Sequence, residues 1–103
     1  MWQPALADDG DHFVTRFDGI NLLPLDYRKD YVMLSFYRRG VLIREVHLNE
    51  LIQDFSKLRR TASHYYWGNY WGWNETGHYV VETLEGRKIA FDVKTGLPVQ
   101  TPR

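Results

Sequence analysis

Tyr31-Val32-Met33-Leu34-Ser35-Phe36-Tyr37-Arg38-Arg39-Gly40-Val41-Leu42-Ile43-Arg44-Glu45-Val46-His47-Leu48 reads as two extended arms about a turn. Val32, Leu34 and Phe36 fall on one face of the first arm, and Val41 and Ile43 continue the alternation in the second, the period-two signature of a strand. Arg38-Arg39-Gly40 supplies the turn, with Gly40 free to take the positive φ that a short hairpin loop requires. The other face carries Tyr31, Met33, Ser35 and Tyr37, so the hairpin is expected to be at least partly covered on both sides.

Beyond the hairpin the period changes. Leu48, Leu51, Ile52, Phe55 and Leu58 recur at helical spacing, with Asn49, Glu50, Gln53, Asp54 and Lys57 between them, and predict an amphipathic helix of two to three turns. Glu50 near its start and Lys57, Arg59 and Arg60 near its end complement the helix dipole. Before the hairpin, Asp8-Asp9-Gly10-Asp11 is a turn leading into a strand at His12–Phe17. Asp18-Gly19 follows, and Pro24 demotes Ile20–Leu25 to an edge or an irregular connection with apolar anchors. After the helix, Ser63–Trp73 is dominated by aromatics interrupted by Gly68 and Gly72, which predicts a bent strand. Asn74–Gly77 is a turn, His78–Leu84 a strand, Glu85-Gly86-Arg87 a tight turn and Lys88–Val93 its partner; the tail is expected to fray beyond Val99.

Size and composition bound the rest. A chain of 103 residues fits one core, and without cysteine it is held by packing alone. Thirteen basic residues balance thirteen acidic ones, so no field steers the chain toward nucleic acid or an anionic membrane. No apolar run approaches the roughly 20 residues of a membrane span, and Met1–Leu6 lacks the pattern of a signal peptide, so a soluble chain is expected. The aromatic content of 16% exceeds what so small a core ordinarily needs, and is the main compositional clue to function.

Aligning Gly10 with Gly77 places Phe13-Val14 on Val80-Val81 and Asp18-Gly19 on Glu85-Gly86, while Phe36–Gly40 and Phe91–Gly96 both end a strand at a glycine-closed turn. Two β-meander units would produce this pattern; so would the spacing shared by any two hairpins. The grammar resembles the meander repeats of β-propeller-like proteins. It is also similar to a poorly characterised group of bacterial proteins, on the segments Asp8 to Asp18, Phe36 to Gly40, Leu48 to Ile52, Ser63 to Trp67 and Asp92 to Gly96. The resemblance implies a repeat-derived β fold and no particular activity, and about seven strands are too few to close a propeller.

No nucleophile elbow, dinucleotide fingerprint or phosphate loop is present. Ser63 beside His64 is the one local nucleophile and base, but neighbours on a strand point to opposite faces, so the two are not expected to share a proton. His12, His47, His64 and His78 lack the spacing of a zinc site, and no cofactor is called for; His12 and His78 stand just after the two aligned turns, which suggests matching structural roles. Asp18, Asp26, Asp30, Glu82, Glu85 and Asp92 sit mostly at turns, where they cap amides, although paired turn carboxylates would also suit a small hydrolase. Lys57–Arg60 followed by His64–Trp67 interleaves charge with aromatics, yet the zero net charge disfavours nucleic acid.

These readings converge on a mainly β (α+β) domain over residues 1–103. It is a twisted antiparallel sheet of five to seven strands with one short helix, about Leu48–Leu58, packed on it, and two meander units, about 8–48 and 63–99, joined by that helix. The candidate binding residues are His64, Tyr65, Tyr66, Trp67, Tyr70, Trp71 and Trp73. On an ideal strand Tyr65, Trp67, Trp71 and Trp73 share one face while Tyr66 and Tyr70 take the other, and a domain this small cannot bury both. The expected function is a non-catalytic protein-interaction or structural module, through a partner protein or self-association; carbohydrate binding by the same aromatics and a small hydrolase are the alternatives.

Overall fold

The computed structural model describes residues 5–17, 19 and 21–99, and Asp18 and Ile20 therefore lie outside the described residues. The hairpin that dominates the sequence is present as β4 (Val32–Arg38) and β5 (Val41–His47). Arg38 pairs with Val41, so the loop is the two residues Arg39 and Gly40, at φ of 51° and 82°. Positive φ at both central residues gives the turn a twist that matches the flanking strands. Met33, Leu34, Ser35 and Phe36 are all buried, so the middle of β4 is covered on both faces, as its sequence implied.

β1 (Ala5–Leu6) and β2 (His12–Arg16) complete this first antiparallel sheet in the order β1-β2-β4-β5. β3 (Leu22–Pro24) joins a small sheet in the order β3-β7-β6 with β6 (Arg59–Arg60) and β7 (His64–Tyr66), Pro24 ending its edge strand. A second four-stranded antiparallel sheet runs β11-β10-β9-β8, from β8 (Gly68–Trp73), β9 (Tyr79–Thr83), β10 (Lys88–Asp92) and β11 (Leu97–Pro98). The fold is thus mainly β with one short helix, as expected. Its strands are divided among three antiparallel sheets rather than joined in one, because β7 and β8 part at Trp67 and pair in different directions.

The core lies between the two larger sheets. Val14, Leu34, Phe36 and Val46 from the first meet Tyr79, Val81, Phe91 and Val93 of the second, with the Phe36 and Phe91 rings 5.7 Å apart. Full burial of each such side chain contributes about 1.5–3 kcal/mol. The smallest dimension, 19 Å, leaves room for two sheet layers, whose usual separation is about 10 Å.

The helix is shorter than its apolar stripe predicts. α1 covers Leu48–Leu51, Ile52 is extended, and a 3-10 turn follows at Phe55–Lys57. The cause is a pair of side chains from the distant β9–β10 turn. The Glu85 carboxylate accepts the Gln53 N–H at 2.9 Å and the Asp54 N–H, amides that a continuing helix would direct to its own carbonyls. Arg87 donates to the Leu51 carbonyl at 2.8 Å. Leu48, Leu51, Ile52 and Leu58 nevertheless stay buried, so the stripe reports burial correctly although the helix is interrupted. Among the described residues no helix is long and apolar enough to cross a membrane.

Candidate functional site

The aromatic segment bends as its glycines suggest, and the bend redistributes its side chains. Trp67 stands at the joint between β7 and β8 and is wholly buried; its N–H donates to the Asn21 carbonyl and its carbonyl accepts the Leu84 N–H. In β8 the pairing to β9 slips by one residue. Tyr70 opposes Val81 and Gly72 opposes Val80, leaving Trp71 as the extra residue of a β-bulge. Gly72 accommodates the bulge at φ 91°.

The expected division of faces is therefore corrected. Tyr65, Trp67, Trp71 and Trp73 do not share a face, because strict alternation fails at the joint and again at the bulge. Tyr70 and Trp73 pack against the core together with Trp67. The Tyr70 ring meets Trp67 edge-on at 5.1 Å, and Trp73 meets Tyr79 in the same way at 5.3 Å. The Tyr70 hydroxyl donates to the Met33 carbonyl at 2.7 Å and accepts the Phe17 N–H at 3.3 Å, joining β8 to the first sheet. Burial raises its pKa far above that of a free phenol. Tyr65 is half-buried, edge-on to Tyr27, which stacks on Phe55. Tyr66 is half-exposed, its hydroxyl donating to Asn69 at 3.1 Å.

Trp71 differs from the rest in being 60% exposed. Its indole N–H donates to Glu82 at 2.8 Å, and the Lys88 ammonium lies 5.4 Å from its ring centroid. Glu82 and Lys88 are cross-strand partners on β9 and β10, so three adjacent strands fix the indole on the solvent face of the second sheet. Val80 and Ala90, also partners, stand one pair away on the same face, and Val99 donates its N–H to the Ala90 carbonyl. Sequence reasoning singled out Trp71 but not Glu82 and Lys88 as its supports; an acidic and a basic residue flanking the Glu85–Arg87 turn were the available signal.

The Ser63–His64 expectation is also corrected. Ser63 precedes β7 rather than lying in it, so its hydroxyl folds back to 2.8 Å from His64 Nδ1. No carboxylate among the described residues orients that imidazole, and the His64 N–H is held by Thr61 Oγ1 at 3.1 Å within a local turn. His12 and His78 each turn Nδ1 back onto the preceding turn, His12 to Asp9 at 2.6 Å and His78 to Thr76 at 3.0 Å. The N–H groups of Asp11 and then His12 hold the Asp9 carboxyl down at about 2. Burial would raise Glu50, but the His47 N–H and Arg44 outweigh it and keep that carboxyl below its ordinary range. Both carboxylates are committed to local hydrogen bonds, the capping role of turn acids. No three His, Asp or Glu side chains converge on a metal-sized site among the described residues. Comparison with protein-family models, curated proteins and solved structures returned no match to this chain.

Proposed function

We propose that the chain is a non-catalytic interaction module that engages another protein through the solvent face of its second sheet, with Trp71 as the anchor. The observation that carries this reading is the Trp71 ring: 60% exposed, yet held by Glu82 and Lys88. A fixed, exposed indole loses little side-chain entropy on association and brings a large apolar area, the properties of an interface hot spot. Half-buried Ala90 and Leu97, 51% exposed on β11, extend the apolar surface across the sheet, while Val80 beside them is itself buried. Trp67, which is core, and Tyr70 and Trp73, which pack against the core, support this face rather than forming it. Within each four-stranded antiparallel sheet neighbouring strands follow chain order, β3 alone leaving the first for the small sheet, an arrangement that suits a duplicated meander whose second copy carries the binding face.

The test is affinity capture from extracts of the source organism with wild type and Trp71→Ala, each first shown to be folded by its thermal transition. The expected result is at least one protein enriched by wild type and lost with the variant. A folded Trp71→Ala chain that retains every wild-type partner would falsify the reading.

A further inference from the structure

A groove of about 250 Å³ lies away from the Trp71 face, where the Asp8-Asp9-Gly10 turn of the first sheet approaches the Asn74–Gly77 and Val93–Lys94 turns of the second. Ala7, Val93 and Trp73 give it apolar walls; Asp8, Asn74 and Lys94 give it a polar rim. The ring of Trp73 is braced from behind by Tyr79. Two polar groups at the groove are already occupied. Asp9 accepts from the N–H groups of Asp11 and His12, and Asn74 Oδ1 accepts from Thr76 and His78. The Asp8 carboxylate, Asn74 Nδ2, Lys94 Nζ and Trp73 Nε1 make no hydrogen bond to another described residue.

From this arrangement we infer a binding site for a neutral sugar ring, a single hexopyranose unit. A pyranose has an apolar C–H face for the indole and a rim of hydroxyls that both donate and accept. The groove offers that combination: one aromatic wall, three free donors and one free carboxylate acceptor. An anionic ligand such as a phosphate would meet Asp8 and Asp9 together. The volume falls below the roughly 300–1,000 Å³ of drug-sized pockets, which suits one ring rather than a larger ligand.

The experiment is saturation-transfer NMR with a panel of methyl hexopyranosides, using wild type, Asp8→Ala/Lys94→Ala and Trp73→Phe. Asp8 and Lys94 are exposed, so their replacement leaves the fold intact; phenylalanine at 73 keeps an aromatic contact with Tyr79 while shortening the wall. Lys57→Ala, outside the groove, is the control. The expected result is transfer to the ring protons of at least one glycoside, weakened at least fivefold in the double variant, reduced by Trp73→Phe and unchanged in the control. Silence across the panel at tens of millimolar, or transfer that survives Asp8→Ala/Lys94→Ala, overturns the inference. So does binding of glycine, a zwitterion that pairs with Asp8 and Lys94 but offers the indole no face, in place of any sugar.

Discussion

Replacing Tyr70 with phenylalanine isolates the clasp between the two larger sheets. The ring keeps its edge-on contact with Trp67 and its place under Arg16, whose guanidinium lies 5.9 Å from the centroid. Only the hydroxyl goes, and with it the 2.7 Å bond to the Met33 carbonyl and the 3.3 Å bond from the Phe17 N–H. Neither partner is stranded, because the Phe17 N–H also donates to the Met33 carbonyl at 3.1 Å. The cost is therefore that of a net hydrogen bond, about 1 kcal/mol, rather than the ~1–3 kcal/mol of an orphaned buried group. For a domain of this size that lowers the thermal midpoint by about 4–8 °C. The assay is thermal unfolding followed by far-ultraviolet circular dichroism, with Tyr66→Phe beside it. Among the described residues the Tyr66 hydroxyl bonds only Asn69, at the surface, and its loss should change stability by no more than about 0.5 kcal/mol. A Tyr70→Phe midpoint no lower than that of Tyr66→Phe would refute the clasp.

The Asp9 carboxyl is lowered from 3.8 to about 2 on folding, so the stability it contributes is present above pH ~4 and is lost as the pH falls toward 2. In Asp9→Asn the acid limb of a midpoint-against-pH curve should be flatter than in wild type. At Gly68 an added Cβ would stand 2.1 Å from the Glu82 carbonyl oxygen, on backbone that β8 cannot leave without losing β9. Gly68→Ala should cost about 3 kcal/mol in urea unfolding, the upper range for overpacking, and a loss below 1 kcal/mol would show that β8 shifts freely. Glu85→Ala should cost about 1 kcal/mol, discounted for exposure, and accelerate amide exchange at Gln53 and Asp54 specifically.

How much of this fold could be read from the sequence depends on how far each cause lies from its effect along the chain. The β4–β5 hairpin was legible because its alternation and its turn residues are contiguous. The 48–58 stripe gave the right buried residues but the wrong helix length, because the interruption comes from Glu85 and Arg87, more than thirty residues away. Gly68 and Gly72 announced irregularity in the aromatic segment. Which aromatics it would turn inward depended on the register with β9, a pairing that residues 65–73 alone do not encode. Likewise strand alternation separates Ser63 from His64 only if both lie in the strand, and the strand begins one residue too late for that.

The bulge also makes an unusual deletion tolerable. Removing one residue from a strand ordinarily moves every later side chain to the opposite face, which for a half-buried strand is ruinous. Here Tyr70 opposes Val81, Gly72 opposes Val80 and Trp73 opposes Tyr79, with Trp71 as the surplus member. Deleting Trp71 therefore restores regular pairing: position 70 points inward, 72 outward and 73 inward, and Gly72 is released from its φ of 91°. The losses are the exposed indole, its bond to Glu82 and its cover over Val80, together about 2 kcal/mol, against a native stability of about 5–15 kcal/mol. The deleted chain should fold with the Trp73–Tyr79 and Trp67–Tyr70 ring contacts intact, seen as preserved near-ultraviolet circular dichroism and ring-proton NMR shifts, while losing the Trp71 partner. A chain that unfolds on deletion, or whose Trp73 becomes solvent-exposed, would mean that Trp71 sets the register of β8 rather than standing outside it.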